Sequence, residues 1–215
     1  MAENNFYGLL YGKVLDNADP DNMGRVKVLL ETLGDAVETN WIPVLSLYAS
    51  SECGAFFLPE IDDQVVVGFI ADNPGQGIVI GGVWSDSQTP PETGENTGSD
   101  LNKDGENNLR FIKSRSGNMI IFDDKDGEEK LQILASGAQT RFEYLAQDEV
   151  LNIETDVDLK LISKGKLSIE AETGEFKFSK GLKIEAGGIS IESSKAVKAV
   201  ASQDMAIEGS MIKLN

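Results

Sequence analysis

From residue 149 onward the chain alternates apolar and polar positions in short bursts. The pairs Leu151/Ile153, Leu159/Leu161, Leu167/Ile169, Phe176/Phe178, Leu182/Ile184, Ile189/Ile191, Met205/Ile207 and Ile212/Leu214 recur at a spacing near eight. Alternation places both members of a pair on one side of a short strand, and a polar corner, often containing Gly or Ser, follows each. One three- or four-residue strand buries almost nothing, so successive units must stack as a solenoid. A single-chain β-helix needs rungs of about 20 residues to turn around its own core. An eight-residue unit supplies only one face and one corner. Three chains giving one face per level close a triangular prism, which predicts an intertwined homotrimer. At ~4.8 Å per level, nine units make a rod of roughly 40 Å.

The N-terminal part has a different rhythm. Five β-rich runs, Tyr7–Asp16, Arg25–Glu31, Trp41–Tyr48, Gln64–Ala71 and Gly77–Trp84, several with Val or Ile in alternation, predict the strands of a small closed barrel. Asp16–Gly24, with Pro20 and Gly24, and Asn73-Pro74-Gly75 carry turn chemistry. Leu29–Val37 leaves room for one turn of helix.

Charge separates three segments. Residues 1–84 hold 12 acids and three bases, residues 85–108 hold six and one, and residues 109–215 hold 18 and 15. The middle segment carries Pro90, Pro91 and three glycines, with Leu101 as its only sizeable apolar residue. It reads as a flexible linker, and it is too short to hold an inserted catalytic domain. The expected organisation is a barrel over 1–84, a linker over 85–108 and a repeat over 109–215.

Composition narrows the chemistry. Nineteen Lys plus Arg against 36 Asp plus Glu leave a net charge of −17, which repels phosphate backbones, so nucleic acid is not an expected partner. With no histidine in 215 residues, Ser-His-Asp and Cys-His nucleophile systems and His-ligated metals are excluded. Asp16–Asp21 crowds three carboxylates near Gly24 like the first half of an EF-hand loop, yet the twelfth position is Leu30 rather than a bidentate Glu. A solvated strand connection is the better reading. Asp123, Asp124, Asp126 and Glu128 around Gly127 read as a hairpin turn by the same logic. No cofactor or metal is expected. The lone Cys53 lacks a disulfide or His partner and reads as a small turn or core residue. Lys164, Lys166, Lys177, Lys180, Lys183, Lys195 and Lys198 alternate with acids, as on a solvated outer face. The N-terminus has no secretory signal pattern, and no apolar run approaches the ~18 residues that span a bilayer.

The runs Gly12-Lys13-Val14, Gly24-Arg25-Val26-Lys27-Val28, Trp41-Ile42-Pro43-Val44, Phe57-Leu58-Pro59-Glu60, Asp63-Gln64-Val65-Val66-Val67-Gly68-Phe69 and Gly81-Gly82-Val83-Trp84 together resemble the OB-fold domain of phage baseplate assembly protein V and VgrG spikes. Within them, Gly24, Arg25, Trp41, Pro59, Asp63 and Gly81 are the family-motif positions. Residues 112–134 are similar to the segment that opens the VgrG β-helix, with Ser116, Gly117, Phe122, Asp123 and Asp124 at its core. Two departures stand out: Asp62 occupies the position where the family usually has Gly, and Asn118 the position where it often has His. Asp tolerates left-handed geometry better than most residues, so the turn is expected to survive.

What the resemblance implies is an all-β chain, an N-terminal OB-fold barrel followed by a trimeric triangular β-helix needle. The chain looks like the short form without the hub domain. It would be the structural, non-enzymatic central spike of a contractile tail or injection particle. The trimer would dock to a baseplate hub protein through the OB fold and make transient contact with the target membrane through the needle. Synthesis would be cytoplasmic, with assembly into a phage tail or extracellular particle. Related spikes hold iron at the tip through paired histidines, which are missing here. Met211, Ile212 and Leu214 are instead expected to seat a PAAR-like tip protein. The alternative is a trimeric cell-surface module whose OB barrel captures glycan or protein. Exposed aromatics would support that alternative, and Tyr11, Trp41 and Tyr48 are the candidates.

Overall fold

The computed structural model describes residues 8–31, 37–70, 73, 75–93 and 102–213. It divides into two units, Met1–Lys160 and Leu161–Asn215. The described residues contain no α-helix, so the chain is all-β as its patterning predicts.

The first unit opens with β1 (Leu9–Asp16), β2 (Arg25–Leu30), β3 (Val37–Glu38), β4 (Ile42–Pro43), β5 (Ala49–Ser50), β6 (Cys53–Gly54), β7 (Gln64–Phe69) and β8 (Gly77–Gly82). Their main sheet runs β3-β2-β1-β7-β8, and β4 also pairs with β2. Val44, just past β4, bridges Val79 in β8, and the Leu45 N–H donates to the Val79 carbonyl at 2.8 Å. One short segment thus joins β2 to the end strand β8 across the curled sheet, as a small barrel requires. Alternation sets the core: Val26, Val28 and Leu30 of β2 point inward against Val14, Val65 and Val67, all at most 1% exposed. Each such side chain stabilises the fold by about 1.5–3 kcal/mol.

The third expected strand, Trp41–Tyr48, is a correction, because only Ile42–Pro43 pairs as a strand within it. Pro43 has no N–H to give a ladder. Beyond it, the Ser46 hydroxyl donates to the Ala55 carbonyl (2.5 Å) and lies 2.9 Å from that of Tyr48, folding the chain into the β5–β6 hairpin. Leu29 and Leu30 are extended within β2, whereas the rest of the segment given room for a helical turn lies largely outside the described residues.

The segment read as a linker begins attached to the barrel. Ser85 and Gln88 exchange backbone hydrogen bonds at 3.0 and 3.1 Å, and the Gln88 side chain accepts from the Gln64 N–H and donates to the Asp62 carbonyl, both at 3.0 Å. Residues 94–101 of that segment are outside the described residues.

A second sheet follows in the same unit: β9 (Leu109–Lys113), β10 (Met119–Asp123), β11 (Lys130–Leu134), β12 (Thr140–Leu145) and β13 (Val150–Thr155), an antiparallel meander in chain order. Its turns use left-handed backbone at Gly117, Gly127, Gly137, Ala138 and Glu149. One face turns Met119, Ile121 and Leu134 away from solvent. On the same face the Gln132 amide donates to the Glu143 carboxylate at 2.5 Å. The first unit of the repeat read from the sequence is thus β13, paired with β12 inside this meander. An alternating strand fits either context, and the β12–β13 hairpin offers it a neighbour.

In the second unit no strand pairing occurs among the described residues, and every described residue from Asp156 onward is exposed. Bends stand at 164–165, 172–173, 179–180, 187, 194–195, 202–203 and 210, with no regular secondary structure between them. Those bends fall at the polar corners read from the eight-residue period. Hydrogen bonds there are local, such as Gly165 N–H to Ser163 Oγ at 3.2 Å and Lys195 N–H to Ser193 Oγ at 3.3 Å.

The tightest crossing in the barrel is at Gly12, where a Cβ would stand 2.4 Å from Val28 Cγ1 and 2.9 Å from the Leu29 carbonyl oxygen. Gly12→Ala is therefore expected to destabilise the barrel by about 1–3 kcal/mol through overpacking, read as a lowered urea midpoint.

Candidate interaction surfaces

The acidic loop after β1 is closed on itself. Asp19 accepts from Arg25 Nε (2.9 Å) and Nη2 (2.6 Å) and from the backbone N–H groups of Asp21 (3.1 Å), Met23 (2.9 Å) and Arg25 (3.2 Å). Arg25 also reaches Asp21 at 2.6 Å. The Arg25 side-chain bonds hold the Asp19 carboxyl well below the usual carboxylate range, and the backbone donors add to this against burial. The carboxylate lone pairs a cation would use are taken by these donors. Among the described residues no group of three or more Cys, Asp or Glu is arranged to hold a metal ion.

The other barrel cations are also engaged. Lys13 pairs with Asp62 at 2.8 Å, which raises its pKa, and Lys27 lies 5.3 Å from the Trp41 ring centroid. Asp62 takes φ +74°, so the residue standing where the family has Gly does adopt the left-handed turn. Asp63 caps that turn by accepting from the Glu60 N–H at 2.8 Å, and Pro59 accepts from the Asn17 amide at 3.0 Å.

Beside this loop an open cleft of about 750 Å³ is lined by Leu45, Leu47, Tyr48, Phe56, Phe57 and Ile80. Leu47 is 94% exposed, Phe56 76% and Phe57 65%. Gly24, Pro59 and Gly81, three of the positions singled out in the sequence, also line it. Gly24 has φ +68°, and Phe56 lies 3.0 Å from where its Cβ would stand, so a side chain there would obstruct the cleft as well as strain the turn. Glu52 is the one charged residue in the lining. Cys53 is exposed in the adjoining hairpin, 3.4 Å from the Tyr48 hydroxyl, so it is neither the turn nor the core residue expected but an exposed strand residue of β6 beside the hairpin turn. Sequence reasoning counted too few exposed aromatics: Phe56, Phe57 and Trp84 join Tyr11 and Tyr48, whereas Trp41 is half-buried under Lys27. The signal was the apolar density of residues 44–58, which reads equally well as a buried strand.

A second apolar surface lies on the meander. Cross-strand register aligns Ile112, Ile120, Ile133, Phe142 and Ile153 in one row and Phe122, Leu131, Tyr144 and Leu151 in the next. Most are exposed, from Phe142 at 38% to Ile153 at 61%. Phe122, expected as part of the opening motif, belongs to this face. The other motif residues hold turns. Asn118 donates to Ser116 Oγ at 3.0 Å and accepts from the Ser136 N–H at 3.0 Å, and Gly117 stands at φ +91° against Ser136. Asp123, buried, accepts from the Lys125 N–H at 3.1 Å with Lys130 at 3.9 Å, and Asp124 pairs with Arg110 at 2.5 Å.

At the far end of the repeat Met211 and Ile212 are exposed, and Leu214 lies outside the described residues. No helix among the described residues is long and apolar enough to cross a membrane.

Among the described residues of 8–84, six strands form a curled sheet that the parallel Val44–Val79 bridge closes into a small barrel. Comparison with known families shows that residues 10–84 match the type VI secretion system/phage-baseplate injector OB domain. Over 162 residues, 72% of the chain, the protein is 26% identical to the actin cross-linking toxin VgrG1 of Vibrio cholerae serotype O1. The chain spans only 13% of the length of that relative.

The Asp19 site has a pH signature. An unfolded Asp takes up its proton near pH 3.9 and the folded one only at lower pH, so acid favours the unfolded chain. The stability supplied by this carboxylate is full above about pH 4 and is lost as pH falls through the depressed folded value. Asp19→Asn should lower the urea midpoint at pH 7, and the gap between variant and parent should narrow between pH 4 and pH 2.

Proposed function

We propose that the protein is the structural central spike of a phage-tail or injection particle, and that three copies act together. The single observation that carries this reading is the stretch from Val157 to Lys213, which presents apolar residues at a period near eight and, among the described residues, pairs with no strand. An unpaired backbone of that length leaves its N–H and C=O groups and its apolar side chains to be satisfied by other chains. Three copies winding around one axis satisfy both requirements. The injector-domain match over residues 10–84 supports the setting.

On this reading the three-part organisation is retained: a barrel over 1–84, a connecting segment over 85–108 and a spike over 109–215. The barrel docks to a hub subunit, and its apolar cleft is the surface with the chemistry for that contact. The work comes from contraction of the particle, and the rod transmits it as an interlocked assembly of strands. No catalytic step is assigned to the chain. The actin cross-linking named for the Vibrio relative belongs to that protein. Met211, Ile212 and Leu214 are the proposed seat of a conical PAAR-repeat tip protein.

One observation favours a second reading. The exposed aromatics around the cleft are also what a glycan- or protein-capturing OB module would display. Alanine at Tyr48, Phe56 and Phe57 separates the two: loss of hub co-purification supports docking, and loss of cell-surface binding with hub association intact supports capture.

Light scattering on the purified chain should give three times 23.2 kDa, about 70 kDa, and the species should survive mild SDS without boiling. A 23 kDa particle would overturn the trimer. Deleting residues 211–215 should abolish tip-protein association while leaving the trimer; unchanged co-purification would remove the tip assignment.

A further inference from the structure

The wall of the barrel opens where its seam ends. Val44 pairs with Val79 and the Leu45 N–H reaches the Val79 carbonyl, but past Leu45 the two lines of chain part. Ser46 and Tyr48 lead into the β5–β6 hairpin while β8 runs on through Ile80 to Gly82, and both lines border the cleft. Its lining also takes in Phe56 and Phe57, from a stretch, 55–60, that forms no turn, bend or strand.

We infer that this cleft takes an extended segment of a partner protein, added as a strand, with apolar side chains in alternation and a Lys or Arg but no carboxylate. Three observations lead there. The first is backbone: among the described residues, the N–H and C=O groups of Leu47, Phe56 and Phe57 make no hydrogen bond within the chain. Donors and acceptors left open beside exposed apolar side chains are what an added strand uses, its main chain bonding while every second side chain packs. The second is that polar side chains of the wall are already spent. Ser46 Oγ donates to the Ala55 carbonyl, and the Tyr48 hydroxyl lies against Cys53 Sγ. A glycan site needs several convergent polar side chains, and here the open hydrogen-bonding groups are mainly backbone. The third is charge. Exposed strand edges are ordinarily blunted by Lys, yet the lining contains no Lys or Arg, and Glu52 is its one charged residue. With 12 acids against three bases in residues 1–84, the barrel attracts a cationic segment and repels an acidic one.

The inference rests on the docking reading of the cleft given above and adds the form in which the partner enters it. A strand held by main-chain bonds tolerates varied side chains, so the cleft selects for alternation and charge rather than for one exact sequence.

The test pans the full chain against displayed random linear peptides and then measures the enriched sequence as a synthetic peptide. Enriched sequences should alternate apolar residues, include Lys or Arg and lack Asp and Glu. N-methylation at every second position should weaken binding by roughly tenfold or more in the register that bonds to the protein and leave the other register unchanged. The bound peptide should slow maleimide labelling of Cys53, and Phe56→Ala/Phe57→Ala should lose the peptide while keeping the parent's urea midpoint. If that midpoint falls, Leu47→Ser, at a side chain 94% exposed, is read by the same criterion. Enriched anchors at helical spacing, or equal sensitivity of the two N-methyl registers, would overturn strand addition and leave the cleft as a docking surface. Enrichment no greater on the parent than on the double variant would overturn the peptide site outright. Strand binding by the parent, with hub co-purification unchanged in the double variant, would keep the strand site and remove the hub as its occupant.

Discussion

Strand-to-strand hydrogen bonding is the constraint on which every part of this chain depends, and the chain meets it in three ways. In the barrel, the sheet curls until Val44 reaches Val79, so nearly every strand finds a neighbour nearby in sequence or in space. In the meander each strand pairs with the next, which closes the hydrogen bonds but leaves one apolar face open. Beyond Asp156 there is no intrachain partner among the described residues. Intrachain strand pairing thus thins along the chain, from a curled sheet to a meander to none among the described residues of the last stretch.

Much of this was legible in the sequence, for reasons particular to each part. The β2 run Arg25–Leu30 announces itself because its valines alternate and one face is wholly buried. The corners of the repeat were legible because pairs such as Lys164-Gly165 and Ser194-Lys195 interrupt the alternation every seven or eight residues. Trp41–Tyr48 was misread because apolar density alone does not reveal that Pro43 withholds a donor or that Ser46 captures the Ala55 carbonyl. The assignment of Val150–Thr155 to the repeat was incomplete for a related reason: periodicity tells which way side chains point, not which strand lies alongside. Asp62 shows a substitution being absorbed, since its carboxylate pairs with Lys13 while its backbone takes the geometry a glycine would have taken.

The candidate surfaces were less legible than the fold. Gly24, Pro59 and Gly81 are far apart in sequence and meet only because the barrel closes, so no spacing rule connects them to Phe56 and Phe57. The meander face was hidden in another way. Its rows combine apolar residues from five strands in one case and four in the other, and they exist only once cross-strand register is known.

Cys53 gives the molecule a property that has little to do with its fold. It is the sole thiol in 215 residues, it is exposed, and it sits on the rim of the apolar cleft. A maleimide dye therefore labels the chain at a single site without engineering, and that site is next to the surface proposed for docking. The rate of its reaction reports directly on whether the cleft is open or covered, in the isolated chain and in the assembled particle alike.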